Sequence, residues 1–200
     1  MKQLLIILSI CIPSFFYCQT AEQLMEIAFS KDQIEDYKGA LEYYSKYIEL
    51  DTTNSTAYLN RGVKRYILGD HTGALADYTK AIELEPTEWR IYMNRAGVKS
   101  ELKDYQGALS DCIKAIGLEP QQGAPYYSRG MAKNELNDFN GAIADFSKAI
   151  KLMPNDSYSY YYRGVTYRKL NKKKKACADL IKAKELGYDD AQKALDEFCK

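Results

Sequence analysis

Residues 123–156 read GAPYYSRGMAKNELNDFNGAIADFSKAIKLMPND, and the same plan returns every 34 residues on both sides of them. Gly39, Gly73, Gly107 and Gly141 are each followed by Ala and then by Leu or Ile, and the next step lands on Lys175 and Ala176. A fixed period of this size changes the reading of every residue, because each copy is one supersecondary unit that buries its apolar face against its neighbours. Counting from Ala21 gives five units: 21–54, 55–88, 89–122, 123–156 and 157–190.

Aligned places within the unit repeat their chemistry. Tyr58, Tyr92, Tyr126 and Tyr160 hold the fourth place, and Gly62, Gly130 and Gly164, with Ala28 and Ala96, hold the eighth. Small residues there let two helices approach closely. Ala40, Ala74, Ala108, Ala142 and Ala176 hold the twentieth place, with Tyr44, Tyr78, Cys112, Phe146 and Leu180 at the twenty-fourth. A spacing of four puts both on one helical face. Pro86, Pro120 and Pro154 at the thirty-second place stop a second helix. The turn between the helices reads Leu68, Gly69, Asp70 or Leu136, Asn137, Asp138, which sets a residue tolerant of positive φ at the bend. Each unit is therefore predicted to be a helical hairpin and the chain to be all-α.

These residues closely resemble the tetratricopeptide repeat family, and the match covers residues 21 to 190. The resemblance implies a right-handed superhelical solenoid of five helix-turn-helix units, in which the first helices line a concave groove. The first unit departs most, with Leu24 and Ile27 where the others carry Tyr and Arg and with Thr52 where the three middle units carry Pro, as suits a terminal unit with one neighbour missing. Residues 191–200 are expected to cap the other end: Ala191, Ala194, Leu195 and Phe198 share one helical face behind the capping pair Asp189 and Asp190.

By the same resemblance the groove floor holds Leu59, Met93, Tyr127 and Tyr161 at the fifth place and Val63, Met131 and Val165 at the ninth. Asn60, Asn94 and Tyr162 at the sixth place and Arg90 at the second can hydrogen-bond a peptide backbone, and Tyr158 at the second place also lines the groove. The implied partner is an extended or helical segment of another protein. The family's clamp for chaperone carboxyl termini needs Lys and Asn at the fifth and ninth places of the first unit, where this chain has Met25 and Phe29. The opposing reading is that the Tyr and Met side chains only pack between first helices.

Arg61, Arg95, Arg129 and Arg163 occupy the seventh place of four units, and Asp77, Asp111, Asp145 and Asp179 the twenty-third place of the same four. The first unit has Ile27 and Tyr43 instead, so both partners vanish together. Bidentate pairs that fix helix packing are expected; an arginine ladder for an acidic polymer is the alternative.

The 200 residues carry 28 Lys plus Arg against 27 Asp plus Glu, with 46% hydrophobic residues, which excludes a disordered chain and a basic nucleic-acid binder. Charge is nonetheless graded. The first unit has 3 basic and 8 acidic residues, net −5, whereas residues 157–200 have 11 and 6, net +5. Such a gradient can orient a charged ligand or favour head-to-tail self-association.

Lys2, an apolar run from Leu4 to Ile12, Pro13 and a short stretch to Thr20 follow the plan of a signal peptide, cleaved after Cys18 or Thr20. The run is too short to span a bilayer, which takes about 20 apolar residues. A secreted or periplasmic protein is expected, with lipid attachment at Cys18 and membrane anchoring as the alternative. Without the leader, Cys112, Cys177 and Cys199 remain in an oxidising compartment. Cys177 replaces the Leu41, Leu75, Leu109 and Ile143 of the twenty-first place, and Cys199 rides on the capping helix, so a Cys177–Cys199 bridge is expected with Cys112 as a buried thiol. Three reduced cysteines are the alternative.

No zinc-ligand spacing, phosphate loop or nucleophile with a histidine base can be assembled, so no catalysis, metal or cofactor is expected. His71 is the single histidine, in an interhelical turn, and reads as a surface packing residue. Lys172, Lys173, Lys174 and Lys175, near Arg168 and Lys169, read as a solvated turn, with binding to an anionic surface as the alternative and no nucleic-acid partner.

Overall fold

The computed structural model describes residues 20–199. The leader, its cleavage and lipid attachment at Cys18 fall on residues outside that range, apart from Thr20 itself. Among the described residues there are eleven α-helices and no strand. They run as α1 (Ala21–Gln33), α2 (Tyr37–Leu50), α3 (Ser55–Ile67), α4 (His71–Leu84), α5 (Trp89–Glu101), α6 (Tyr105–Leu118), α7 (Gly123–Glu135), α8 (Phe139–Leu152), α9 (Ser157–Lys169), α10 (Lys173–Glu185) and α11 (Asp190–Phe198). The first helices of the five hairpins start 34 residues apart, and α11 begins one residue before the first helix of a sixth hairpin would.

Local chemistry places the ends of these helices. Glu35, Gly69, Lys103, Asn137 and Asn171 all have positive φ, between 57° and 83°, at the same place of each hairpin. The next residue donates its backbone N–H back to the first helix, as in Asp70 to Arg65 and Asp104 to Lys99, both at 2.8 Å. This is the two-bond termination that a left-handed residue allows. Asp36, Asp70, Asp104 and Asp138 then cap the second helix by accepting from the N–H of Gly39, Gly73, Gly107 and Gly141. A Cβ on Gly107 would lie 2.0 Å from the Asp104 carboxylate, so the Gly and the capping Asp go together. In the last hairpin both are gone: Lys172 stands at the cap, Lys175 at the glycine place, and α10 has no side-chain cap. Lys173, Lys174 and Lys175 lie in the first turn of α10 rather than in a loop.

Packing follows the same places. Tyr44, Tyr78, Cys112, Phe146 and Leu180 are fully buried, each paired with the small residue of the eighth place. A Cβ on Gly130 would come within 2.8 Å of the Phe146 ring, and one on Gly62 within 2.7 Å of the Tyr78 ring. Each helix packs on its predecessor and successor. The first helices also touch one another, α3 with α5, α5 with α7 and α7 with α9, whereas second helices make at most marginal mutual contact. The array therefore curves with its first helices inside, and that inner row is the concave face. The fold is an all-α solenoid of five hairpins closed by α11.

Candidate peptide-binding groove

The inner row is held rigid by a repeated clamp. In each of four hairpins the seventh-place Arg of the first helix grips the Asp of its own second helix with two bonds: Arg61 to Asp77 at 2.9 and 2.7 Å, Arg95 to Asp111 at 2.9 and 2.7 Å, Arg129 to Asp145 at 2.9 and 2.6 Å, and Arg163 to Asp179 at 2.7 and 2.8 Å. The carboxylates are nearly buried, which makes a paired cation necessary. Each guanidinium also lies over the fourth-place Tyr of its own turn, 5.4 to 5.9 Å from the ring centroid. Two arginines reach back one hairpin, Arg95 to the Thr79 hydroxyl at 3.1 Å and Arg163 to the Ser147 hydroxyl at 3.0 Å. The arginines are thus engaged inside the fold and do not form a free ladder.

A second cation joins the clamp in three hairpins. Arg65, Lys99 and Lys133 stand 3.0, 2.8 and 2.7 Å from Asp77, Asp111 and Asp145. Sequence reasoning passed over them, although their spacing of 34 was a signal in plain view. Tyr167 holds the corresponding place in the last hairpin, under the Arg163 and Lys175 side chains.

Leu59, Val63, Met93, Asn94, Tyr127, Met131, Tyr161, Tyr162 and Val165 are all half-buried, with Arg90 and Tyr158 exposed. Asn60 is half-buried beside the Tyr44 hydroxyl. Arg90 is tied to Glu88 at 3.3 Å. None of the twelve is sealed into the core, and their surfaces change character along the row. The middle of the floor is aliphatic, and a built Cβ on Gly97, at the ninth place between Val63 and Met131, meets nothing.

The far end is aromatic. Tyr127 contacts Phe146 and Tyr162 at ring-centroid distances of 6.0 and 5.9 Å, Tyr162 meets Tyr161 at 5.2 Å, and Tyr188 meets Tyr161 at 4.5 Å and Tyr158 at 5.0 Å. Four sequence-derived groove residues thereby form one chain of rings that runs from the core at Phe146 to Tyr158, 53% exposed. Burial raises the pKa of Tyr127, and that of Tyr188 to about 12. Tyr188 was missed because it occupies the thirty-second place, where the three middle hairpins carry Pro.

Beyond the rings, Cys177 of α10 and Cys199 after α11 are disulfide-bonded, with Cα atoms 5.8 Å apart, while Cys112 is a buried free thiol. Ala191 and Ala194 of α11 are buried, and Leu195 and Phe198 half-buried. The expected cap at Asp189 is absent as a side-chain bond: Asp189 is itself helical, at φ −61° and ψ −40°, which turns its carboxylate away from the N–H groups of the first turn. His71 opens α4, beside the Tyr66 ring and 3.6 Å from a Glu101 carboxylate oxygen.

The family described as "TPR repeat" matches residues 130–171, and that described as "Tetratricopeptide repeat" matches residues 55–88 and 90–122. The chain is a tetratricopeptide repeat protein. Among solved structures, the MamA protein superposes with a TM-score of 0.78 at 23% identity, over 86% of this chain and 94% of that one. MamA from Desulfovibrio magneticus RS-1 gives 0.79 at 20% identity, over 83% and 94%. YrrB, described as a TPR protein with an unusual peptide-binding site, gives 0.76 at 22% identity, over 88% and 92%. At these identities the likeness is one of fold. No curated protein matches by sequence.

As a tetratricopeptide repeat protein the chain is a protein-protein interaction scaffold. Among its described residues no group of three or more His, Cys, Asp or Glu is placed to hold a metal ion, and no helix is long and apolar enough to cross a membrane.

Proposed function

We infer that this protein works outside the cytoplasm as a non-catalytic adaptor, holding an extended or helical segment of a partner protein against its inner row of first helices. The observation that carries this reading is the chain of tyrosine rings ending on exposed Tyr158. Rings packed edge-on or tilted against one another lose little conformational freedom when a partner covers them, and their hydroxyls supply donors to a peptide backbone. The description of YrrB as bearing a peptide-binding site on the same fold supports it. Export is supported by the charged, apolar and polar order of residues 2–20 and by a disulfide, which persists in oxidising compartments.

The test is a pull-down from the native envelope with wild type and with Tyr158→Ala plus Tyr161→Ala. Tyr127 is a poorer choice because its ring rests on buried Phe146. Loss of the partner from a variant of unchanged helicity supports the groove; recovery of the same partner refutes it. Cell fractionation with sequencing of the mature amino terminus tests export, and an intact leader on cytoplasmic protein refutes it.

The second reading, head-to-tail association, draws on the charge difference between the acidic first hairpin and the basic last one. Light scattering across a salt series separates the two, because electrostatic association weakens as salt rises.

A further inference from the structure

We propose that the Cys177–Cys199 bond is a redox latch on the groove: oxidised, it fixes α11 as the wall of the last slot of the binding surface, and reduced, it lets that wall leave and weakens partner binding. This rests on the groove reading above and adds its regulation.

The slot is a cleft of ≈ 350 Å³. One wall is Tyr161 and Val165, at the fifth and ninth places of the inner row, and the other is α11 with Lys193, Ala194, Glu197 and Phe198. Tyr188, which closes the chain of rings onto Tyr158 and Tyr161, lies in the short segment that α11 anchors. Moving α11 therefore alters both the cleft and the rings beside it.

The attachment of α11 differs in kind from that of every other helix. It has 9 residues, against 13 or 14 in the others, whereas an isolated helix in water is marginal below about 12–15 residues. Its buried residues are two alanines, the smallest apolar side chains that a helix can offer. The seventh place, which supplies the clamping Arg in four hairpins, is Glu197. Its ion pair with Arg168 is long, 3.7 Å, and more than half exposed on both sides. Exposed Arg168 also lies over the half-buried Phe198 ring. The covalent bond stands where an apolar side chain of the twenty-first place packs in the other hairpins.

Cys177 and Cys199 are both half-buried, within reach of a small dithiol. One thiolate of the dithiol attacks a cystine sulfur, forming a mixed disulfide and expelling the other cysteine as thiolate. The second thiolate of the reagent then displaces the first cysteine and leaves as a cyclic disulfide. Two electrons pass to the protein, and its two thiolates take up two protons.

The experiment uses the full mature chain, oxidised, reduced with dithiothreitol, and as Cys199→Ser. Amide hydrogen exchange across 188–198 is expected to speed at least tenfold on reduction and in Cys199→Ser, with α3 to α8 unchanged. Twelve-residue peptides selected from a random library on the oxidised chain, and weakened by Tyr161→Ala, serve as the binding probe. Their affinity is expected to fall at least tenfold on reduction and equally in Cys199→Ser, which dithiothreitol then alters no further. Unchanged exchange in α11 overturns the latch, as does unchanged peptide affinity once α11 has been released. Selected peptides that ignore Tyr161→Ala overturn the groove reading instead, a result that the exchange measurement distinguishes from failure of the latch.

Discussion

Arg129 and Asp145, 16 residues apart, meet through two parallel bonds of 2.9 and 2.6 Å that lock α7 onto α8. The carboxylate is 5% exposed, so its charge depends on the guanidinium and on Lys133. Arg129→Ala leaves it half-compensated and is expected to lower stability by about 2–3 kcal/mol, whereas Arg129→Met with Asp145→Leu should fall well short of that loss. Urea unfolding of Arg129→Met, Asp145→Leu and the double variant measures the coupling, with Arg129→Ala alongside.

Two glycines at neighbouring helical places should respond in opposite senses to alanine. Gly97 has open space around a built Cβ, and Gly97→Ala is expected to stabilise by about 0.5–1 kcal/mol through helix propensity alone. Gly130 faces the Phe146 ring at 2.8 Å, and Gly130→Ala should destabilise by about 1–3 kcal/mol through overpacking. Thermal unfolding of the pair reads both signs.

Lys103 carries a φ of 62° at the bend between α5 and α6. Lys103→Gly should gain about 0.5–1 kcal/mol by removing the steric penalty of the left-handed region, and Lys103→Val should lose at least as much. Denaturant midpoints with an unchanged m-value check this.

Burial pushes the Cys112 thiol up to about 12 from 9.0, and the Tyr44 phenol up to about 12 from 10.0. Both acids are held neutral in the fold above the pH at which they ionise in the unfolded chain. Their contribution is therefore complete below about pH 9 and is lost as pH rises toward 12. Denaturant midpoints should hold from pH 7 to 9 and then fall. Cys112 should resist a thiol reagent at pH 8 until denaturant unfolds the chain. Rapid labelling of the folded chain contradicts its burial.

Much of this fold is legible in one 34-residue period, because the physical demands of a hairpin recur at the same places. A small residue faces a buried side chain of the second helix in every hairpin, a proline follows that helix in three, and Arg accompanies Asp in four. The missing pieces lie where periodicity stops constraining side chains. Glu35 and Lys103 take positive φ without being Gly or Asn, since the termination bonds on both sides outweigh their local preference. Tyr188 joins the ring chain from a proline place, and Asp189 enters the helix that it was expected to cap. The inner row itself came from the family pattern, and what the structure adds is that its tyrosines lean on one another before any partner arrives.

The most direct test of the central claim places a photo-crosslinking residue at position 161 on the inner row and, separately, at Lys151, an exposed residue of α8. A protein captured from the native envelope at 161, absent at 151 and lost when Met93→Glu is added two hairpins away, is the predicted result. Equal capture from both positions, or capture at 161 that Met93→Glu leaves unchanged, contradicts the assignment of the inner row as the binding surface.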